Sequence, residues 1–281
     1  MLRDIEFLNS GLDFSVYRAY SIMFGNIAVK VPLKRWILND NDGCIDARKV
    51  LQQEVQLIKH LKQYAIPVPE IYSLNIDERG IDFLASEYIE NDQSTPRSYE
   101  LGCLIKSIHC SDIPSFSLIA QENCTFAEVL AERMYRRSKV IERITNIQLD
   151  IPHANKLKEI FDIDTPICLL HMDVRPENIL TEEGNIEGII DWSNAIIGDP
   201  RLELARIAEY GLLNNEFLDG YGQPDCFKNI PKYIELLYRL DTVIMLAIVF
   251  LLESPISGIA RNYLNRLIEL SAKVNKYFHN H

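Results

Sequence analysis

The chain holds six cysteines (Cys44, Cys103, Cys110, Cys124, Cys168 and Cys226) but no C-x-x-C pair, and its histidines form no cluster at metal-ligand spacing. That lack argues against zinc-finger and dithiol-redox classes and favours reduced, buried thiols in a cytoplasmic protein. Basic charge is also short: 29 Lys and Arg against 40 Asp and Glu leave a net charge of −11. An acidic chain argues against nucleic acid or an anionic membrane as the main partner, and it is compatible with a cationic small molecule. Long apolar runs are missing too. The longest, "VIMLAIVFLL" from Val243 to Leu252, is about half of the ~20 residues that span a bilayer, so it is expected as a core helix. The opening "MLRDIEFLNSG" lacks the apolar stretch of a signal peptide. The polar run "NDNDGCID" is not a calcium loop, because counting back from Gly43 puts Leu38 at the first ligand position.

Hydrophobic residues make up 47% of the chain, ample for a core. "FSVYRAY" and "NIAVKVPL" read as strands joined by the turn "FGN". A helix capped by Asp46 is expected to run to about Tyr64, and "IPVPEIYSL" and "GIDFLASEYIE" read as further strands. From about Ser98 the apolar spacing becomes helical, first in "SYELGCLIKSIHC", then from Thr125 to Ile147, then from Arg201 onward. The fold class is therefore α+β: a small β-rich N-lobe with one helix over residues 1–92, and a larger, mainly helical C-lobe over residues 93–281. The polar "ENDQSTPRS" is the expected hinge.

Lys30 lies mid-strand, on the same face as Ala28 and opposite Ile27, Val29 and Val31. Such a lysine is either an edge charge or a ligand. Glu54 favours the ligand: it sits inside the apolar stripe Val50, Leu51, Val55, Ile58 and Leu61 of the Asp46 helix. A carboxylate there needs a cation, and a strand Lys paired to a helix Glu can reach nucleotide phosphates. Upstream, "LNSGLDFSVYRAY" is either a plain hairpin turn or a phosphate loop with Gly11 and Ser15 as its contacts.

The densest polar pattern is "LLHMDVRPENILTEEGNIEGIIDWSNAIIGDP" from Leu169 to Pro200. His171, Asp173 and Asn178 stand at H-x-D-x-x-x-x-N spacing. Asn178 is expected to start the strand "NILT", and Asp191 to end the strand "IEGIID", so that both line one wall. Asn and Asp oxygens suit Mg²⁺, and Asp173 can take a proton from a substrate hydroxyl.

These motifs resemble the aminoglycoside phosphotransferase and choline kinase group, small-molecule kinases with a protein-kinase-like bilobal fold. The resemblance spans nearly the whole chain. It implies His171, Asp173 and Arg175 in the catalytic loop, with Asp173 as the catalytic carboxylate. It implies Asn178 and Asp191 on Mg²⁺, Lys30 and Glu54 on the nucleotide, and Ser86, Glu87 and Tyr88 of "LASEYIE" around the adenine. Asp199 and Glu203 of "GDPRLELA" would help to hold the catalytic loop. Two positions depart from the pattern: Met172 stands where the family usually has Gly, and Arg175 where it usually has a non-basic residue. Arg175 either meets the γ-phosphate, pairs with Glu177, or points to solvent. Only "WSNAIIGDP" follows Asp191 before the next motif, too brief for the peptide-docking segment of a protein kinase. The expected activity is ATP-dependent transfer of the γ-phosphate to a hydroxyl of a small molecule, an aminoglycoside or other antibiotic among them. GTP is the alternative donor. An amino alcohol, homoserine or a sugar is the alternative acceptor, and a nucleotide-binding pseudokinase is the alternative class. The sequence leaves the oligomeric state open.

Overall fold

A computed structural model describes residues 2–78, 80–222 and 231–279; Cys226 lies outside them. Strands β1 (Leu2–Ser10), β2 (Phe14–Ser21), β3 (Gly25–Pro32), β6 (Ile71–Asn75) and β7 (Phe83–Glu87) form one antiparallel sheet in the order β1-β2-β3-β7-β6. Register fixes its two faces. Val16 and Leu84 flank Lys30, and Ala28 pairs with Ser86, so these side chains share a face with Phe14. Helix α1 (Ala47–Leu61) covers that face, packing Val50, Leu51 and Val55 on Phe14 and Leu84. Ile27, Ala19 and Ala85 cluster on the opposite face. Asp46 caps α1 by accepting from the Arg48 amide, and the expected stripe is buried, with Leu51 and Leu61 fully enclosed. Each such leucine stabilises the fold by roughly 2 kcal/mol.

Two elements in this lobe differ from expectation. β1 is an additional edge strand, exposed along its whole length, with register breaks between Arg3 and Glu6 and between Phe7 and Asn9. An irregular strand with no buried face leaves no alternation to read. The polar "NDNDGCID" is part of a hairpin, β4 (Trp36–Asn39) and β5 (Gly43–Asp46), closed by Gly43 at φ +81°.

The larger lobe holds α2 (Ser98–Cys110), α3 (Phe126–Thr145), α4 (Ala154–Phe161), α5 (Pro200–Glu209), α6 (Asn215–Tyr221), α7 (Lys232–Ile248) and α8 (Ser257–His279). A reciprocal Thr125–Glu128 capping box starts α3. The apolar run from Val243 lies in α7 and the turn after it, with Val243, Ile244, Ala247 and Ile248 fully enclosed. No helix among the described residues is long and apolar enough to cross a membrane. Where α2 meets α6, Gly102 faces the Phe217 carbonyl so closely that an added Cβ would lie 2.1 Å from it. This is the close approach that glycine permits.

Between α4 and α5 lie two short ribbons. β8 (Cys168–Leu170) pairs with β11 (Ile196–Gly198), and β9 (Ile179–Glu182) with β10 (Asn185–Ile189). The expected hinge runs without regular structure from β7 to α2, but it is tied to the second ribbon. The Asp92 amide donates to the Thr181 carbonyl (3.0 Å), and the Arg97 amide to that of Gly184 (3.0 Å). Asn91 and Asp92 side chains accept from the amides of Thr181 (3.1 Å) and Glu183 (2.8 Å).

Candidate active site

The ammonium of Lys30 lies 2.7 Å from Glu54 Oε2 and 3.1 Å from Asp191 Oδ1. Strand β3, helix α1 and the turn after β10 thus meet on one cation, and the Lys30–Glu54 pair inferred from the stripe is present. Glu54 is 5% exposed. Burial works against the charge on Lys30, but Asp191 and Glu54 outweigh it and raise its pKa. Burial works against Asp191 in the same way, yet Lys30 brings it down to about 2. Glu54 is raised, by burial first, with Lys30 pulling against it. The Phe14 ring lies 4.8 Å from the same ammonium.

The catalytic-loop residues converge on Asp173. Asn178 Nδ2 donates to Asp173 Oδ2 (2.8 Å) and to its carbonyl (2.9 Å). Arg175 Nε lies 3.2 Å from the same Oδ2, so Arg175 pairs with Asp173, neither of the pairings weighed from the sequence. The Tyr210 hydroxyl donates to Oδ1 at 3.1 Å. His171, expected among the catalytic side chains, is fully buried. Its Nδ1 accepts from the Asp173 amide (3.1 Å), which leaves Nε2 protonated to donate to the Ile190 carbonyl (2.9 Å). It braces the two motif segments from behind.

Two expected boundaries shift. Asn178 closes a short 3₁₀ turn, and the strand starts at Ile179. β10 ends at Ile189, and Asp191 follows in the left-handed region at φ +65°. An acid there can turn out of the ribbon plane to face Lys30, and Asp tolerates that region. The Ile190 amide donates to the Asn178 carbonyl at 3.0 Å, which keeps the two segments adjacent.

Met172 is left-handed as well, at φ +65°. This is the position where the resemblance predicts Gly, and the structure gives the reason. Its amide donates to Glu203 Oε1, and its carbonyl accepts from Arg206 Nη1 at 2.6 Å. Both main-chain groups are held, so a strained conformation persists with a side chain that is 1% exposed. Glu203 also meets His109 Nε2 at 2.8 Å. Asp199 does not touch the loop; it caps α5 through the Arg201 amide (2.9 Å) and accepts from the Tyr238 hydroxyl (2.8 Å), acting only through the helix that carries Glu203.

The residues expected on the nucleotide side lie around the same sheet face and its edges. Gly11 needs no special conformation: an added Cβ would meet only the Phe14 carbonyl at 3.8 Å. The Ser15 hydroxyl is buried 3.2 Å from that of Ser10. Asp13, at the same turn, was not singled out from the sequence. Burial raises its pKa, with Asp191 and Asp42 adding to the rise. Ser86 shares the Lys30 face. The Glu87 amide is committed to the Glu70 carbonyl at 2.8 Å. Tyr88 stacks under the Arg18 guanidinium at 4.6 Å.

A buried polar chain also escaped sequence reading. Arg206 Nη2 reaches Asp241 (3.1 Å), Asp241 reaches Arg137 (3.3 Å), and Arg137 holds Asp42 (3.0 Å) and the Asn41 carbonyl (3.1 Å) at the tip of the β4–β5 hairpin. Its signal is faint: arginines and acids on helical stripes, with partners 35 to 104 residues away.

Comparison with known proteins shows the family and the fold. The phosphotransferase enzyme family profile matches residues 4–235. A stretch of 98 residues is 33% identical to the "Protein LicA homolog" of Mycoplasma capricolum subsp. capricolum, covering 34% of this chain and 41% of that protein. Another of 39 residues is 46% identical to hygromycin-B 4-O-kinase of Escherichia coli, covering 14% and 11%. The chain thus spans less than half the length of the curated relatives it matches. Among solved structures, a thermostable mutant of aminoglycoside phosphotransferase APH(4)-Ia, in ternary complex with AMP-PNP and hygromycin B, superposes with a TM-score of 0.68 at 16% identity, over 96% of this chain and 94% of that one. The GDP complex of aminoglycoside 2'-phosphotransferase-IIIa gives 0.66 at 15%, over 97% and 94%. These likenesses show the protein-kinase-like fold.

Two predictions follow from the geometry. Glu54→Gln should raise the KM for ATP roughly tenfold or more, the effect of weakening one charged hydrogen bond of about 1.5–3 kcal/mol, while circular dichroism stays unchanged; an unaltered KM would remove Glu54 from nucleotide binding. Met172→Gly and Met172→Ala should both lose the buried side chain's stabilisation. The glycine variant, however, should be the more stable in urea titration, because a left-handed L-residue costs about 1–2 kcal/mol. The usual order, with glycine less stable, would show that the site carries no strain.

Proposed function

This chain belongs to the phosphotransferase enzyme family, and from that premise we propose that it transfers the γ-phosphate of ATP to a hydroxyl of a small molecule, with an aminoglycoside or another antibiotic as the favoured acceptor. The observation that carries the reading is the Lys30 ammonium held between Glu54 and Asp191, one carboxylate on the α1 helix and the other beside the catalytic loop. The partial likeness to hygromycin-B 4-O-kinase supports the choice of acceptor, as does the net charge of −11, which favours a cationic substrate. The same reading assigns the protein to the cytoplasm, where ATP is at hand.

Each side chain has a task. Lys30, oriented by Glu54, binds the α- and β-phosphates. Asp173 orients the acceptor hydroxyl and takes its proton as the new O–P bond forms and the γ-phosphorus bond to the bridging oxygen breaks, releasing ADP. Asn178 and Asp191 suit Mg²⁺. The Asn178 amide nitrogen is committed to Asp173, which leaves its oxygen as a donor, and Asp191 is ionised. Two hard oxygen ligands fit a cation that takes few from protein. When bound, Mg²⁺ would supply charge neutralisation on the phosphate oxygens. Arg175, pinned through Nε to Asp173, has Nη groups left for the γ-phosphate, and its side chain is 45% exposed. Catalysis of this kind is mostly positioning and charge stabilisation.

The test is a coupled ADP-release screen over aminoglycosides including hygromycin B, macrolides, choline, ethanolamine, homoserine and sugars. One class should raise ADP release well above the rate with MgATP alone, and Asp191→Ala should abolish the rise. No acceptor-dependent release, with MgATP still bound, would leave a nucleotide-binding module in place of an enzyme. Arg175→Ala should lower kcat by roughly 10²-fold, as for loss of one transition-state donor, with little change in acceptor KM. A kcat within about threefold of wild type, against that expected 10²-fold, would assign the arginine to holding Asp173 alone.

A further inference from the structure

Asp173 is the carboxylate on which the proposed chemistry turns, and its hydrogen-bond partners divide between its two oxygens. Oδ2 accepts from the Asn178 side-chain amide at 2.8 Å, and the Arg175 guanidinium lies beside it as an ion pair, with Nε at 3.2 Å. Oδ1 takes the Tyr210 hydroxyl at 3.1 Å. A carboxylate offers about four lone-pair sites, two on each oxygen. Oδ2 therefore faces both nitrogen groups, and Oδ1, with the hydroxyl alone, keeps an open lone pair.

Tyr210 is well placed to hold that oxygen. It is the C-terminal cap of α5, where its own amide donates to the Arg206 and Ala208 carbonyls. Arg206, one turn earlier on the same helix, donates to the Met172 carbonyl, and Glu203 receives the Met172 amide. One face of α5 thus grips the loop before Asp173 by its main chain and Asp173 itself by its side chain. The helix start is anchored independently by Asp199, Arg201 and Tyr238.

We propose that Tyr210 is a positioning residue: its hydroxyl orients Asp173 so that the free lone pair of Oδ1 meets the proton of the acceptor hydroxyl. This rests on the reading of Asp173 as the base. With the Tyr210 bond in place, the carboxylate is fixed at both oxygens and cannot rotate about χ2. Without it, Asn178 and Arg175 still hold Oδ2, so the group stays in the site, but Oδ1 can swing. The expected signature is a loss in the chemical step with nucleotide binding intact.

The experiment measures ADP release from MgATP with water as the acceptor, and again with hygromycin B, for wild type, Tyr210→Phe, Asp173→Asn and the double variant. Water is always present, so the assay needs no identified substrate. Tyr210→Phe keeps the ring and loses only the hydroxyl. It should lower kcat roughly ten- to hundredfold, the range for losing one hydrogen bond to a charged group, and leave the KM for ATP and the Tm unchanged. In the Asp173→Asn background the same change should have little further effect, because Tyr210 acts through the residue already removed. Equal losses in both backgrounds, or a normal kcat in Tyr210→Phe, would overturn the positioning role while Asp173 stands. A normal kcat in Asp173→Asn, or no ADP release from wild type in any arm, would overturn the reading of Asp173 as the base, and Tyr210's role with it.

Discussion

One ammonium between two carboxylates governs this structure. Lys30 is 14% exposed at its side chain, and its loss would leave two carboxylates facing each other without a cation. Removing one member of a buried pair typically costs about 3–5 kcal/mol, because the remaining ion keeps its desolvation penalty. The position of α1 over the sheet, the phase of β3 and the left-handed turn at Asp191 must all agree for the three groups to meet. The apolar packing around them sets those positions: Phe14 and Leu84 from the sheet, Val50, Leu51 and Val55 from the helix. Leu57, Ile58 and Leu61 of α1 continue into a cluster with Trp192, Ile189 and Leu204, so the same helix that presents Glu54 is also cemented to the segment that presents Asp191.

Behind the catalytic loop the logic is polar. Met172 is held in a costly conformation by Glu203 and Arg206, and Arg206 is part of a chain through Asp241 and Arg137 to the tip of the β4–β5 hairpin. Each charged member has an ion-pair partner, and the buried Arg206 Nε is left without a hydrogen-bond partner among the described residues. The network lets this chain carry a large buried side chain where the resemblance predicts glycine: the main chain is restrained from both ends, and the methionine fills a cluster with Ile196, Leu202 and Ala205.

Much of this was legible beforehand because it is local. Glu54 in an apolar stripe announced its partner, and the offsets among His171, Asp173 and Asn178 announced a loop that folds on itself. What could not be read depends on distant partners. Tyr210 is 37 residues from the carboxylate it holds, and Asn41 is 212 residues from Glu253, which its amide meets at 3.2 Å. β1 has no buried face, and β4–β5 pair only with each other, so neither leaves a pattern of alternation. His171 looked catalytic because spacing reveals neighbours in the chain and is silent on burial. Gly11 looked like a phosphate-loop glycine because its position was right, though its turn would accept another residue.

The linker from Asn91 to Arg97 is stitched along the β9–β10 ribbon. The main chain proposed to receive the adenine and the ribbon flanked by Asn178 and Asp191 are thereby one rigid bracket. On the proposed reading, the linker ties the base side of the nucleotide site to Asn178 and Asp191, the pair suited to Mg²⁺. Residues 86 and 87 belong to β7 of the same sheet as Lys30, so the linker ties that whole sheet, base-side main chain and ammonium together, to the ribbon that Asp191 follows.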